Sequence, residues 1–375
     1  MTPLWVSIIP MNCSSPSWQL FFLKVSLSGP FAPHLVFVNS SSSVDCNPHL
    51  DFSFKVKPDV SIYSTNLFPG AVTDSAKVEI FIKFKWKYDH DPFHAPYTTQ
   101  HENSNILTFL RNTNAGDNTL GQITTYTTAQ LGSQFCTHAY SLLIVKDTAR
   151  LLQWDRSGTI VTEAFKYDRS PYLVDFFHRY SKASPQMHGN NQSVSSPTPM
   201  EATKAREVLD LDNNAPLVKI AIPHMDGCSL LYYIAPIPWV TPYTPLGRTT
   251  HGFPAYNDSR GKPVYLKDSW RVNMRDIWPE GRLYKKLKIA KVHNIPDCLS
   301  SGDITTDQYH ASKTCTYLKK SWACVSEAQL WHFIPHQHYH LTLDAIRRPL
   351  TNFQTSYEMV YAVRDTIIGE FKLHS

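Results

Sequence analysis

Residues 261–272, GKPVYLKDSWRV, decide the fold. Val264, Tyr265 and Leu266 read as a β-strand, and Lys267 follows in the same run, before further strand-like residues. A lysine inside such a run is costly unless its ammonium reaches water or meets an anion. The flanking sequence has to supply that anion.

Upstream lies LGRTTHGFPAYNDSRGKPVYLKD (246–268), in which Gly247 and Gly252 punctuate a turn between two predicted strands. The turn DSRG (258–261) then leads into the lysine strand. Downstream, DIWPEGRLYKKLKIAKVHNIP (276–296) reads as a helix with Glu280, Tyr284 and Leu287 on one stripe. In this order a glycine loop can cover phosphates, the lysine can meet them, and a helix carboxylate can hold the lysine in place.

Size and composition set the bounds. The chain has 375 residues, enough for two or three domains with a sizeable core. Hydrophobic residues at 42% and charged residues at 18% fit a globular protein. The formal net charge of +5 neither demands nor excludes a nucleic-acid partner. Seven scattered cysteines, odd in number and without a CxxC pair, predict reduced thiols and an intracellular setting. The apolar opening MTPLWVSIIPM is short, broken by Pro10 and lacks a basic n-region, so no signal peptide is assigned. No apolar run is long enough to predict a membrane span.

Along the chain, residues 1–50 show no period and are expected to be poorly ordered. KPDVSIY (57–63) and KVEIFIKFKW (77–86) read as strands, the second alternating Val78, Ile80, Ile82 and Phe84 against Glu79, Lys83 and Lys85. GQITTYTTAQLGSQFCTHAY (121–140) is expected to be a helix. SLLIV, ARLLQWD and TIVTEAF then form hairpin-like units across KDT and DRSG turns. SPYLVDFFHRYSKAS (170–184) reads as an amphipathic helix. After a polar segment, Thr198, Pro199 and Glu201 mark a helix start. LVKIAIP and SLLYYIAPIP are strand candidates leading to the lysine region.

GRTTHGFPAY, PVYLKDSWRV, EGRLYKKLKIAKVHNIP and RRPLTNF resemble the small lobe of the fungal-type protein kinase family. GQITTYTTAQLGSQF, RLLQWDRSGTIVTEAF and FFHRYSKASP resemble that family's upstream region. The resemblance spans roughly Asp51 to Asp365. It implies an α+β fold, a protein kinase-like small lobe preceded by an α/β domain. The expected units are a poorly ordered segment 1–50, an upstream α/β domain 51–184, a linker with a short helix 185–216, and a small lobe with the start of a large lobe 217–375. The resemblance makes Lys267 the lysine on the α/β-phosphates of ATP with Mg²⁺, and Glu280 its helix partner. Gly247 and Gly252 become the loop over the phosphates, although GRTTHG departs from the full G-x-G-x-x-G pattern.

Catalysis of phosphoryl transfer also needs an HRD aspartate with a following asparagine and a DFG aspartate. Neither follows Arg347, and VRD at 363–365 sits within a helical pattern. The expectation is a member truncated before the catalytic loop and incomplete as an ATP phosphotransferase, with no catalytic residue assigned. The rival expectation is a non-catalytic, pseudokinase-like interaction module binding protein or nucleic acid through its upstream domain, with a protein partner covering the exposed small-lobe surface. Outside that alternative a nucleic-acid partner is not expected, and no membrane is assigned.

Two weaker patterns remain. Asp59, Lys85 and Gln122…Tyr126 echo a PD-(D/E)xK nuclease, which makes a degenerate restriction-endonuclease-like domain an alternative for the upstream unit. Lys83 stands where that motif needs an acid, so a working Mg²⁺ site is not expected. HFIPHQHYH places His336, His338 and His340 on one strand face. No Cys or acid at ligand spacing completes a metal site there, so exposed strand histidines beside a hinge are expected and no metal residue is assigned.

Overall fold

In the computed structural model, which describes residues 31–45, 55–70, 73–94, 109–224, 229–237, 244–257, 259–318, 320, 323, 333–346 and 352–374, the chain is mixed α+β with two seven-stranded sheets. Side chains of the last helix are described to Asp365. The first sheet contains β1 (Leu35–Asn39), β2 (Val60–Ser64), β3 (Val78–Lys85), β4 (Ala139–Val145), β5 (Thr148–Asp155) and β6 (Gly158–Val161), ordered as in the chain, with the short β7 (Phe165–Lys166) also on β5. Only the β3–β4 pair among them is parallel, and it requires the crossover that helix Asn114–Ser133 supplies.

The alternation expected for β3 places Ile80 and Ile82 in a core with Val60, Ile62, Leu142 and Ile144, sealed by Leu173, Phe177 and Tyr180 of helix Tyr172–Ser181. The other sheet face packs Ile123, Tyr126 and Leu131 of the crossover helix. Two expectations need correction. Leu35–Asn39, inside the segment expected to be poorly ordered, is an edge strand fully paired with β2, because Leu35 and Phe37 complete the same core. The helix expected at 121–140 runs instead from Asn114 to Ser133: Thr113 caps it by accepting from the Gly116 amide, and Ala139 already belongs to β4.

The second sheet is antiparallel throughout, in the order β13-β14-β12-β11-β10-β9-β8. Its members are β8 (Val194–Ser195), β9 (Leu217–Pro223), β10 (Leu230–Pro236), β11 (His251–Asn257), β12 (Lys262–Val272), β13 (Cys298–Asp303) and β14 (His336–Leu343). Helix Pro199–Leu209 starts in the capping box foreseen from Thr198 and Glu201, the Thr198 amide donating to Glu201 Oε2 at 2.8 Å. It packs Ala205 against Ile234 and Tyr256, so β8 and this helix, from the segment read as a linker, are built onto the second sheet.

The turn after β5 joins the two units. Asp155 Oδ2 accepts from the amides of Lys313 and Thr314 at 2.6 and 2.7 Å, capping the short helix Thr314–Tyr317, while its Oδ1 accepts from Ser157 and Gly158. Arg156 is buried beyond it and donates to the carbonyls of Pro245 and Leu131. Among the described residues no helix is long and apolar enough to cross a membrane. Cys136, Cys298 and Cys315 are free thiols.

Candidate functional site

Strand β12 sorts its side chains by parity. Val264, Leu266, Asp268 and Trp270 are buried on one face, while Tyr265, Lys267 and Arg271 are half-buried on the other. Helix Glu280–Ile289 lies on the second face, with Tyr284 against Tyr339, Leu341, Leu343 and Tyr265. The helix can approach this closely because position 281 is glycine: a Cβ there would sit 1.9 Å from Ser301 Oγ and 2.7 Å from Tyr339 Oη. The Gly281 amide donates to that Tyr339 hydroxyl at 2.9 Å.

Glu280 is the first residue of this helix, following Pro279. Its carboxylate therefore sits at the positive end of the helix, where the field favours it. Lys267 Nζ donates to Glu280 Oε2 at 2.6 Å, and this carboxylate is the anion the sequence requires. The two side chains are 22% and 25% exposed, so the pair stays in reach of a solute. Arg248 Nη2 approaches the same oxygen at 4.0 Å. Further along the strand Arg271 grips Asp303 in a two-point pair at 2.6 and 2.7 Å.

The two glycines sit in different settings. Gly252 lies directly opposite Lys267 in the β11–β12 ladder. A Cβ there would fall 1.8 Å from Tyr265 Oη, so its glycine is explained by a tyrosine ring crossing the strand. Gly247 has φ +88°, a left-handed conformation suited to glycine. Its amide donates to the carbonyl of Arg156 at 2.8 Å, which ties this part of the loop to the upstream unit.

The upstream residues of the nuclease-like pattern also converge. Asp59 accepts from Lys83 Nζ at 3.2 Å and from the Phe84 amide at 2.7 Å, while Lys85 donates to Gln122 Oε1 at 3.0 Å. Burial, then the neighbouring Lys83 charge, pushes the Lys85 pKa down. Glu79 is turned elsewhere, accepting from Tyr180 Oη at 2.7 Å and lying 3.1 Å from His188 Nδ1.

The expectation of exposed histidines on β14 is overturned. His336, His338 and His340 are all buried, because β14 is an interior strand between β12 and β13 and the face they share is covered, with His310 stacked on His338 and Ser157 beside His336. The acid missing at ligand spacing arrives across the ladder: Asp268 lies opposite His340, 2.5 Å from His338 Nε2 and 3.3 Å from His340 Nε2. No spacing within HFIPHQHYH could reveal an aspartate 70 residues away. A signal was nonetheless present. Asp268 shares strand parity with Val264, Leu266 and Trp270, so burial, and a buried partner, followed from the pattern.

A lysine on β12, the fifth strand of this antiparallel sheet in chain order, paired with a glutamate on the next helix and followed by two more strands, is consistent with a kinase-like fold. The family described as "Fungal protein kinase" matches residues 77–375, most of the chain, from β3 of the first sheet through all of the second. The chain belongs to that family. No curated protein and no solved structure matches it.

Proposed function

We propose that the Lys267 face of the second sheet binds the phosphates of ATP, Lys267 supplying the charge and Glu280 holding it in place. The 2.6 Å Lys267–Glu280 pair carries this reading, with Arg248 as a second nearby cation. The glycine loop supports it less, since the Gly247 amide is already engaged. Glu280 and Asp303 on this face are each held by a cation, so Mg²⁺ is expected to arrive on the nucleotide rather than on the chain. Up to Ser375 the sequence contains no HRD with a following Asn and no DFG, so no step of phosphoryl transfer is assigned to these residues. Mg·ATP should raise the melting temperature of the full chain, and Lys267→Met should remove the rise. Absence of any rise in the folded wild type would sink the reading.

A second reading is an interaction module docked by another protein. It is supported by exposed apolar side chains, Tyr357, Val360, Tyr361 and Val363 on helix Ser356–His374 and Leu283 and Ile289 on the Glu280 helix. Nucleotide stabilisation independent of Lys267, or none, favours it.

For the upstream unit, a degenerate restriction-endonuclease-like domain retained for binding is supported by the Lys83 ammonium on Asp59, which stands where such a site would need a metal ligand. Divalent-metal-dependent DNA cleavage that Asp59→Ala abolishes would contradict it.

A further inference from the structure

On the face of β12 away from Lys267, three strands place ionisable residues in one row. His251 of β11 lies opposite Asp268, and Asp268 lies opposite His340 of β14. His338, two residues before His340, shares its face. Asp268, His338 and His340 are 6%, 2% and 1% exposed, and one ligand atom from each falls within 4.8 Å of the other two.

Hydrogen bonding at His340 shows what this row lacks. Its Nδ1 lies 3.2 Å from the carbonyl of Ala221, a group that only accepts, so Nδ1 carries the proton. Nε2 then faces Asp268 Oδ1 at 3.3 Å, buried and without hydrogen-bond geometry to any described residue. A nitrogen lone pair and a carboxylate oxygen facing each other out of water repel unless a proton or a metal ion lies between them. His338 Nε2 lies 2.5 Å from the same carboxylate oxygen.

We propose that Asp268, His338 and His340 bind one divalent transition-metal ion of the zinc type as a structural centre of the second sheet. Two imidazole nitrogens and one carboxylate oxygen suit such an ion, whereas Mg²⁺ and Ca²⁺ favour oxygen ligands. Ligand atoms about 2.0–2.1 Å from a tetrahedral ion lie about 3.3 Å apart. The Asp268–His340 separation matches this spacing, and the Asp268–His338 contact opens by about 0.8 Å to admit the ion.

Second-sphere partners are in place. The Ala221 carbonyl orients His340, and His338 Nδ1 lies 2.9 Å from His310 Nδ1, which can accept its proton when Nε2 binds metal. His310 Nε2 is in turn 3.7 Å from Asp307 Oδ2. Asp268 and His338 also line a cavity of about 20 Å³, room for one water as a fourth ligand. His251 lines that cavity as well, its buried Nε2 without a partner among the described residues.

The test uses the full chain, refolded and dialysed with Zn²⁺ alone, then with Co²⁺ as the spectroscopic probe. Expected are one equivalent of metal, the intense visible d–d absorption of tetrahedral Co²⁺, and a lower melting temperature after chelation. Asp268→Asn and His340→Gln should weaken binding at least tenfold, while His336→Gln and Lys267→Met keep the full equivalent. Should the ligand variants fail to fold, the wild-type Co²⁺ protein still decides: two exchangeable imidazole N–H protons should appear as paramagnetically shifted resonances. Native circular dichroism with no stoichiometric metal, a full equivalent retained by folded Asp268→Asn and His340→Gln, or a count other than two shifted protons overturns the proposal.

Discussion

Lys267 and Asp268 are consecutive in the chain and reach opposite faces of one strand, Lys267 to Glu280 at 2.6 Å and Asp268 to His338 at 2.5 Å. One peptide unit thus serves two environments. The lysine face lies under a helix and stays within reach of solvent, while the aspartate face is closed over by the upstream unit through Phe135 and Arg156. The consequences of the two differ in size and kind.

The lysine pair should matter little to stability. Both partners keep a fifth or more of their surface in water, where an ion pair contributes about 0–1 kcal/mol. Urea denaturation of Glu280→Gln should show a loss within that range, with the slope unchanged. A loss of several kcal/mol would mean that the pair is a buried structural element.

Asp155 should matter more. Its carboxylate satisfies four backbone amides, two in its own turn and those of Lys313 and Thr314 across the unit boundary. Charged hydrogen bonds of this kind are worth about 1.5–3 kcal/mol, and unsatisfied buried donors add to the cost. Asp155→Ala should lose about 3 kcal/mol or more and separate the unfolding transitions of the two units; a single unshifted transition would contradict this role.

Gly252→Ala should be destabilising by about 1–3 kcal/mol, because the new methyl meets the Tyr265 ring. If the clash with that ring is the cause, Gly252→Ala combined with Tyr265→Leu should cost less than the sum of the single changes. Additive losses would show that the glycine answers a different constraint.

A pH dependence is expected at His188. Burial works against its charged ring, yet the Glu79 carboxylate at 3.1 Å and the Tyr180 carbonyl outweigh it and hold the pKa above the ordinary 6.5. The folded state therefore binds the proton more tightly than the unfolded chain. The stabilisation is complete below the ordinary value and is lost as pH rises through the raised folded value. The stability gap between wild type and His188→Gln, measured by urea titration, should shrink from roughly pH 5.5 to roughly pH 8.5. A gap that widens with pH would reverse the assignment.

Much of this architecture was readable before the structure. Alternation identified β3, the Thr198–Glu201 capping box marked its helix, and GKPVYLKDSWRV with the EGRLYKKLKI segment after it made the lysine strand and its glutamate helix legible. The misses have physical causes. Residues 114–120, NAGDNTL, carry a cap but little apolar period, so the crossover helix announces its start by Thr113 rather than by a stripe. LVFVN at 35–39 is a short apolar run whose partner, β2, lies beyond a segment without pattern. The histidine cluster depends on register between strands far apart in the chain, which local spacing does not encode. The cue within reach was a carboxylate at a buried parity.

Equilibrium binding of a fluorescent ATP analogue to the full chain, in the presence of Mg²⁺, measures whether Lys267 holds nucleotide phosphates. One saturable site, competed by ATP and weakened at least tenfold in Lys267→Met, about 1.4 kcal/mol, is the predicted result. No saturable binding by the folded wild type, or unchanged affinity in a folded Lys267→Met, would contradict it.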